Sequence, residues 1–131
     1  MCTDACRARR CDDPAMRPRL LIVDDHAGFG ASARRLLEAE GFTVVGEADG
    51  ARSALPAVAM LSPDVVLVDI ALPDGDGFDV CWDIVREHNA AVVLTSSRTI
   101  TGLQDRLRRS RALGVIPKSE LSGSAIRAST G

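Results

Sequence analysis

Tyrosine is absent from this chain, and its 131 residues include only three phenylalanines and one tryptophan. A core must therefore be built from Val, Leu, Ile and Ala. Lysine is nearly absent too: Lys118 stands alone against fifteen arginines. Because arginine and lysine are not interchangeable at a crowded site, one retained ammonium marks a position to examine. No apolar run approaches the roughly 18 residues of a membrane span. The N-terminus also lacks the apolar stretch of a signal peptide. These absences point to a cytoplasmic chain with no membrane contact.

What remains is ordinary for one globular domain. Hydrophobic residues make up 46% and charged residues 26%, and the net charge is −2, which gives no reason to expect a nucleic-acid partner. The length suits one domain and is too short for two ordinary ones. Residues 1–19 carry five Arg against three Asp, leaving the rest net acidic. Cys2, Cys6 and Cys11 also fall in this N-terminal stretch. Their C-x3-C-x4-C spacing matches no zinc or disulfide framework, so residues 1–18 are read as a disordered leader, with a metal or redox role as the alternative. Residues 19–131 are read as the folded domain, and Met16 could begin it.

Along that domain, short apolar runs alternate with stretches of helical period, the pattern of repeated β-α units on a parallel sheet. Strands are expected at about 20–24, 43–47, 64–69, 91–95 and 115–116. Helices are expected at about 28–40, 51–61, 78–88 and 100–112, with a short last one from about 120. Leu36 and Leu37 are placed on the inner face of the first helix, with Gly41 as its C-terminal stop. Pro56 must kink the second helix or sit in its first turn. The third strand, continuously apolar, is expected at the sheet centre. Residues 70–77 read as a loop. Phe78, Cys81, Ile84 and Val85 have core spacing on the third helix, while Trp82 is expected to be partly exposed. In the fourth, Ile100, Leu103 and Leu107 form an apolar stripe, and Arg106, Arg108, Arg109 and Arg111 a solvated basic face.

In an open parallel α/β sheet, ligands bind beyond the carboxyl ends of the strands. Those ends carry Asp24, Asp25, Asp69, Thr95, Ser96 and Lys118. Three carboxylates in one cleft repel one another, and a hard divalent cation such as Mg2+ relieves the repulsion. Lys118 can bind an anion as a point charge, and Thr95 offers it a hydroxyl. Asp69 is then a candidate nucleophile, since aspartate forms acyl phosphates in phosphoryl transfer.

Four segments carry a resemblance: Leu21-Ile22-Val23-Asp24-Asp25, Asp69 through Gly77, Val93-Leu94-Thr95-Ser96 and Ile116-Pro117-Lys118. Together they resemble a two-component response regulator receiver domain over about residues 19–122. The resemblance implies a (βα)5 doubly wound, flavodoxin-like fold with strand order 2-1-3-4-5. It implies phosphoryl transfer from a histidine kinase to Asp69, with Mg2+ bound by Asp24, Asp25, Asp69 and the backbone carbonyl of Ala71. Thr95 would be the switch hydroxyl, with Ser96 beside it, and Lys118 would pair with the phosphoryl group. Residues 117–121 look most like receivers that precede a helix-turn-helix DNA-binding domain, and no such domain follows here. The chain is accordingly read as a stand-alone receiver or one lacking its effector, with no direct nucleic-acid binding. An output protein, or a phosphorylation-dependent homodimer through the fourth helix, fifth strand and fifth helix, would read the switch. Two positions depart from the family: Val115 stands where an aromatic residue is common, and Ser96 where a small residue is common.

Taken singly these features are weak. Asp24 and Asp25 could make a strand-end turn, Thr95 a strand-end cap, and a lone lysine needs no role. Their order at the ends of four strands sets them apart. Asp74, Asp76 and Asp79 lack the further ligands of a calcium loop and read as a solvated turn, with Gly77 opening the third helix. His26 and His88 have no partner at metal-ligand spacing and are expected at the surface. Two alternatives remain: a degenerate receiver acting as a phosphorylation-independent interaction module, and a haloacid-dehalogenase-type phosphatase. The latter needs a second acid two residues after the nucleophile, where Ala71 stands.

Overall fold

A computed structural model describes residues 17–98 and 102–130. The leader cysteines, Met16 and Ile100 lie outside the described residues. Five strands form one parallel sheet: β1 (Arg19–Val23), β2 (Thr43–Ala48), β3 (Val65–Asp69), β6 (Ala91–Ser96) and β7 (Gly114–Pro117), in the order β2-β1-β3-β6-β7. This is the expected 2-1-3-4-5 arrangement. The difference in numbering arises because the 70–77 loop contains a small antiparallel hairpin, β4 (Ala71–Leu72) with β5 (Gly75–Asp76).

The helices are α1 (Ala27–Ala39), α2 (Ala51–Leu61), α3 (Gly77–Glu87), α4 (Gln104–Ser110) and α5 (Gly123–Thr130), with a 3-10 turn at Lys118–Glu120. Side chains alternate across a strand, so each apolar run feeds two cores. Leu21, Val23, Val66, Val68, Val92 and Leu94 pack under α2 and α3 with Ala54, Val58, Phe78, Cys81 and Ile84. Leu20, Ile22, Val65, Leu67, Val93 and Ile116 pack against Ala33, Leu37, Phe42 and Ile126, on the side of α1 and α5. All five residues of β3 are buried, as expected of the central strand.

Several local readings change. Leu36 is exposed and only Leu37 is fully buried, because the stripe facing the sheet is narrow and runs through Gly30, Ala33 and Leu37. Pro56 sits inside α2, as its sixth residue. Helix α4 is shorter than expected, and Arg111, in the left-handed region at φ 66°, ends it. Arg106 is not simply solvated: its guanidinium lies 4.5 Å from the Phe78 ring centre and pairs with Asp76. Trp82 is partly exposed, and Gly41, at φ +100°, closes α1 in a conformation that suits glycine.

Candidate functional site

Strand order reverses between β1 and β3, since β2 lies on one side of β1 and β6 on the far side of β3. Beyond the carboxyl ends at such a point a parallel sheet leaves a crevice. Asp24 follows β1 directly and Asp69 ends β3, so both open into it. Thr95 pairs with Asp69 in register across β3 and β6, and Lys118 follows β7. The topology thus brings the predicted residues to one edge.

Asp24 and Asp69 are both buried: the Asp24 side chain is 1% exposed and the Asp69 residue 3%. Lys118 Nζ lies 2.6 Å from Asp24 Oδ2, in an ion pair without hydrogen-bond alignment, and donates to Asp69 Oδ2 at 3.1 Å. The same ammonium rests 4.4 Å from the Phe29 ring centre. Asp69 Oδ1 accepts the Ala71 backbone N–H at 3.1 Å. Asp25 is more open to solvent.

Electrostatics separate the two buried carboxylates. Burial acts to raise the pKa of Asp24, but the Lys118 ammonium and the His26 backbone and ring donors outweigh it and hold the carboxyl below its ordinary range. For Asp69 burial wins: it raises the pKa, aided by the Asp24 charge and opposed by the Ala71 N–H and Lys118. Burial would lower Lys118, yet Asp24 and Asp69 raise it, so the amine stays charged. One acid is held ionised, while the other bears a desolvated, more basic carboxylate.

Thr95 is 1% exposed, and its Oγ1 has no hydrogen-bond partner among the described residues. A buried hydroxyl left without a partner is costly, so its place beside Asp69 is a reason to expect an acceptor there. Ser96 is engaged elsewhere: its Oγ donates to the Arg98 carbonyl and accepts the Arg98 N–H. Val115 is half-buried on β7, in register with Leu94. It lines a groove of about 810 Å³ with Ser96, Leu103, Leu107, Pro117 and Lys118.

His26 is at the surface as expected, yet it has partners in the acid cluster that its spacing did not reveal. Although its side chain is 61% exposed, its Nδ1 lies 2.9 Å from Asp24 Oδ1, 3.2 Å from Asp25 Oδ1 and 3.8 Å from Asp69 Oδ2. The reason is local: its backbone N–H donates to Asp24 Oδ1 at 2.7 Å, folding the residue back over the strand end. Adjacency to the paired acids was the available signal. His88 is half-buried at the end of α3. Phe29 had no signal, because its contact with Lys118 crosses 89 residues of chain. The loop aspartates also have structural roles. Asp74 accepts the N–H groups of Ala51 and Arg52 at the start of α2, and Asp76 caps α3 at Phe78 N.

The donor set tests whether Mg2+ suits the site. Asp24, Asp25, His26 and Asp69 each offer an atom within 4.8 Å of the others, and three of the four are hard carboxylate oxygens. That chemistry fits a hard divalent cation.

Comparison with known proteins agrees with this geometry. The response regulator receiver domain family matches residues 20–127. The DNA-binding response regulator MtrA of Mycobacterium tuberculosis is 38% identical over 86 residues, covering 66% of this chain and 37% of MtrA. A protein-glutamate methylesterase/protein-glutamine glutaminase of Alkalilimnicola ehrlichii is 37% identical over 93 residues, 70% of this chain and 24% of that protein. The chain thus spans half or less of the length of these curated relatives. Among solved structures, the signal receiver domain of NarL from Mycobacterium tuberculosis superposes with a TM-score of 0.76 at 27% identity, covering 88% of this chain and 98% of that one. The BeF3-activated receiver domain of Klebsiella pneumoniae RstA gives 0.73 at 25% identity, covering 84% and 92%. From the family match and these relatives, this chain belongs to the response regulator receiver domain family, a signalling domain of two-component systems.

Proposed function

We propose that Asp69 is the phosphoacceptor. A carboxylate oxygen of Asp69 attacks the phosphorus of a phosphohistidine on a partner kinase. The new O–P bond forms as the N–P bond breaks, and the electron pair leaves on the donor imidazole, which takes a proton from solvent. The observation that carries this reading is the buried Asp69 carboxylate, 3.1 Å from the Lys118 ammonium at the end of the central strand. Desolvation makes it more basic than an ordinary aspartate, and Lys118 offers charge to the incoming phosphoryl oxygens. The buried Thr95 hydroxyl is suited to donate to one of those oxygens.

Asp24, Asp25, Asp69 and the Ala71 carbonyl would hold Mg2+, which when bound neutralises charge on the transferring group. Ser96 bonds its own loop and is left with a minor part at most. The chain is a phosphoacceptor whose chemistry extends no further than its own phosphorylation and dephosphorylation. We read residues 1–18 as a leader outside the receiver, and the site of action as the cytoplasm. The α4–β7–α5 face would carry the signal to an output protein, an effector domain or a second copy of the chain. One observation favours a second reading. Val115 stands where the family commonly has an aromatic residue, and the missing ring suits an interaction module that does not need phosphorylation.

Incubation with acetyl phosphate or beryllofluoride and Mg2+, followed by intact mass and NMR, separates the readings. An adduct on the wild type and none on Asp69→Asn is expected. No adduct and no spectral change in the wild type would sink the phosphoacceptor. A partner bound equally by wild type and Asp69→Asn would favour the interaction module.

A further inference from the structure

We infer that His26 is a nitrogen donor to the cation in this cleft, giving the site a stronger preference for Co2+, Ni2+ or Zn2+ over Mg2+ than an all-oxygen set would have. The inference deepens the reading of the acid cluster as a cation site and rests on it.

Geometry is the first support. Adjacent donors on a six-coordinate ion with bonds of 2.0–2.2 Å lie about 3 Å apart. His26 Nδ1 lies 2.9 Å from Asp24 Oδ1 and 3.2 Å from Asp25 Oδ1, close to that edge length. Its 3.8 Å separation from Asp69 Oδ2 is wider and still within the same coordination sphere. An ion could therefore be met by both nitrogen and oxygen donors without a large rearrangement of the strand ends.

The ring is held at the cluster, its Nδ1 in a 2.9 Å hydrogen bond with Asp24 Oδ1 that a bound cation would replace. His26 is the N-cap residue of α1, with φ −93° and ψ 101°, yet its side chain makes no capping hydrogen bond. Its backbone N–H is instead tied to Asp24 Oδ1, which limits where the ring can go. Lys118 Nζ is 3.5 Å from Nδ1. Outside the acid cluster, the buried Thr95 Oγ1, on the residue in register with Asp69 and without a hydrogen-bond partner among the described residues, points independently to a ligand at this edge.

Chemistry supplies the direction. Carboxylates suit Mg2+, whereas imidazole suits later first-row metals, whose affinity for nitrogen sites rises along the Irving–Williams order. A fourth donor of nitrogen type thus stabilises Co2+ far more than Mg2+.

The test uses the full chain with Cys2, Cys6 and Cys11 replaced by Ser, so that thiolates cannot bind the soft ions. Calorimetry at fixed pH gives Co2+ and Mg2+ affinities for that protein, His26→Ala and His26→Ser, the last keeping a hydroxyl at the helix start. Both His26 variants should lose Co2+ affinity by about 10- to 100-fold, as loss of a donor predicts, and Mg2+ affinity by less than about threefold. In the parent, bound Co2+ should shift and broaden the His26 ring resonances, an effect that does not depend on activity. If Mg2+ and Co2+ bind but their ratio is unchanged in both variants, the nitrogen-donor role is overturned and the cation site stands. If neither ion binds the parent, both fall.

Discussion

Gly77 is placed so that a single methyl group would test the packing behind the site. A Cβ there would stand 2.2 Å from the Asp69 carbonyl oxygen, 2.7 Å from Ile70 Cα and 2.9 Å from the Asp69 carbonyl carbon. All three are backbone atoms at the strand end that carries the acceptor. They cannot turn aside, because Gly77 N–H donates to the Ile70 carbonyl at 2.7 Å and Ile70 N–H to the Thr95 carbonyl at 2.9 Å. Two effects oppose each other in Gly77→Ala. Alanine at the first residue of α3 gains up to about 1 kcal/mol in helix propensity. Forcing a methyl into a filled space costs about 1–3 kcal/mol or more, and here the atoms displaced are main chain. Ordinary contact begins near 3.4 Å, so about 1 Å of movement is required and the clash should dominate. A net loss of about 1–2 kcal/mol would lower Tm by about 3–10 °C in a domain of this size. Thermal unfolding followed by circular dichroism gives the stability, and acetyl phosphate incorporation gives the site. Phosphorylation should slow as well, since the shift falls on Asp69. An unchanged or raised Tm would refute the close-packing argument.

Lys118→Met leaves Asp24 and Asp69 buried without a counter-charge and should destabilise the chain by about 3 kcal/mol in EDTA; partial recovery of Tm in millimolar Mg2+ is the accompanying check. Lys118→Arg should impair phosphoryl capture more than metal binding, measured as adduct yield against calorimetry. Asp69→Asn should raise Tm in EDTA at neutral pH, because burial lifts the folded pKa of Asp69 and the ionised form destabilises the fold. By the sign of that shift the penalty appears as pH rises through the folded pKa, so the gap between variant and wild type should close on acidification. Phe29→Leu removes the ring under Lys118 and should cost about 0.5–1 kcal/mol, with slower phosphorylation from acetyl phosphate at unchanged Mg2+ affinity. Val115→Tyr should be accommodated in the groove beside it with less than about 1 kcal/mol lost, read by thermal unfolding.

The sheet was legible because its code is short-range. Leu20 to Val23, Val65 to Val68 and Val92 to Leu94 are continuous apolar runs, and such runs announce buried strands wherever they occur. The placement of Asp24, Asp69 and Lys118 was legible for a related reason, as each ends a strand or directly follows one. Contacts between distant segments were less visible. Nothing in the periodicity of α4 links Arg106 to Asp76 and Phe78, and nothing in α1 links Phe29 to Lys118. Leu36 was misplaced because adjacent leucines cannot both face a sheet in a narrow helical stripe. His26 was undervalued because its position depends on a backbone hydrogen bond to Asp24, two residues away, which spacing rules for metal ligands do not consider.

The single lysine has a practical consequence for reagents. Apart from the chain's own α-amino group, Nζ of Lys118 is the one primary amine in the sequence, and it is held against two carboxylates with its side chain 13% exposed. Lysine-selective isotope labelling would therefore yield one side-chain ammonium resonance, and that resonance would come from the cleft itself. Amine-directed acylation would likewise read one internal address, slow while the ammonium is ion-paired and faster when the pairing is broken. A composition poor in lysine has left this domain with a reporter already installed where its chemistry is proposed to occur.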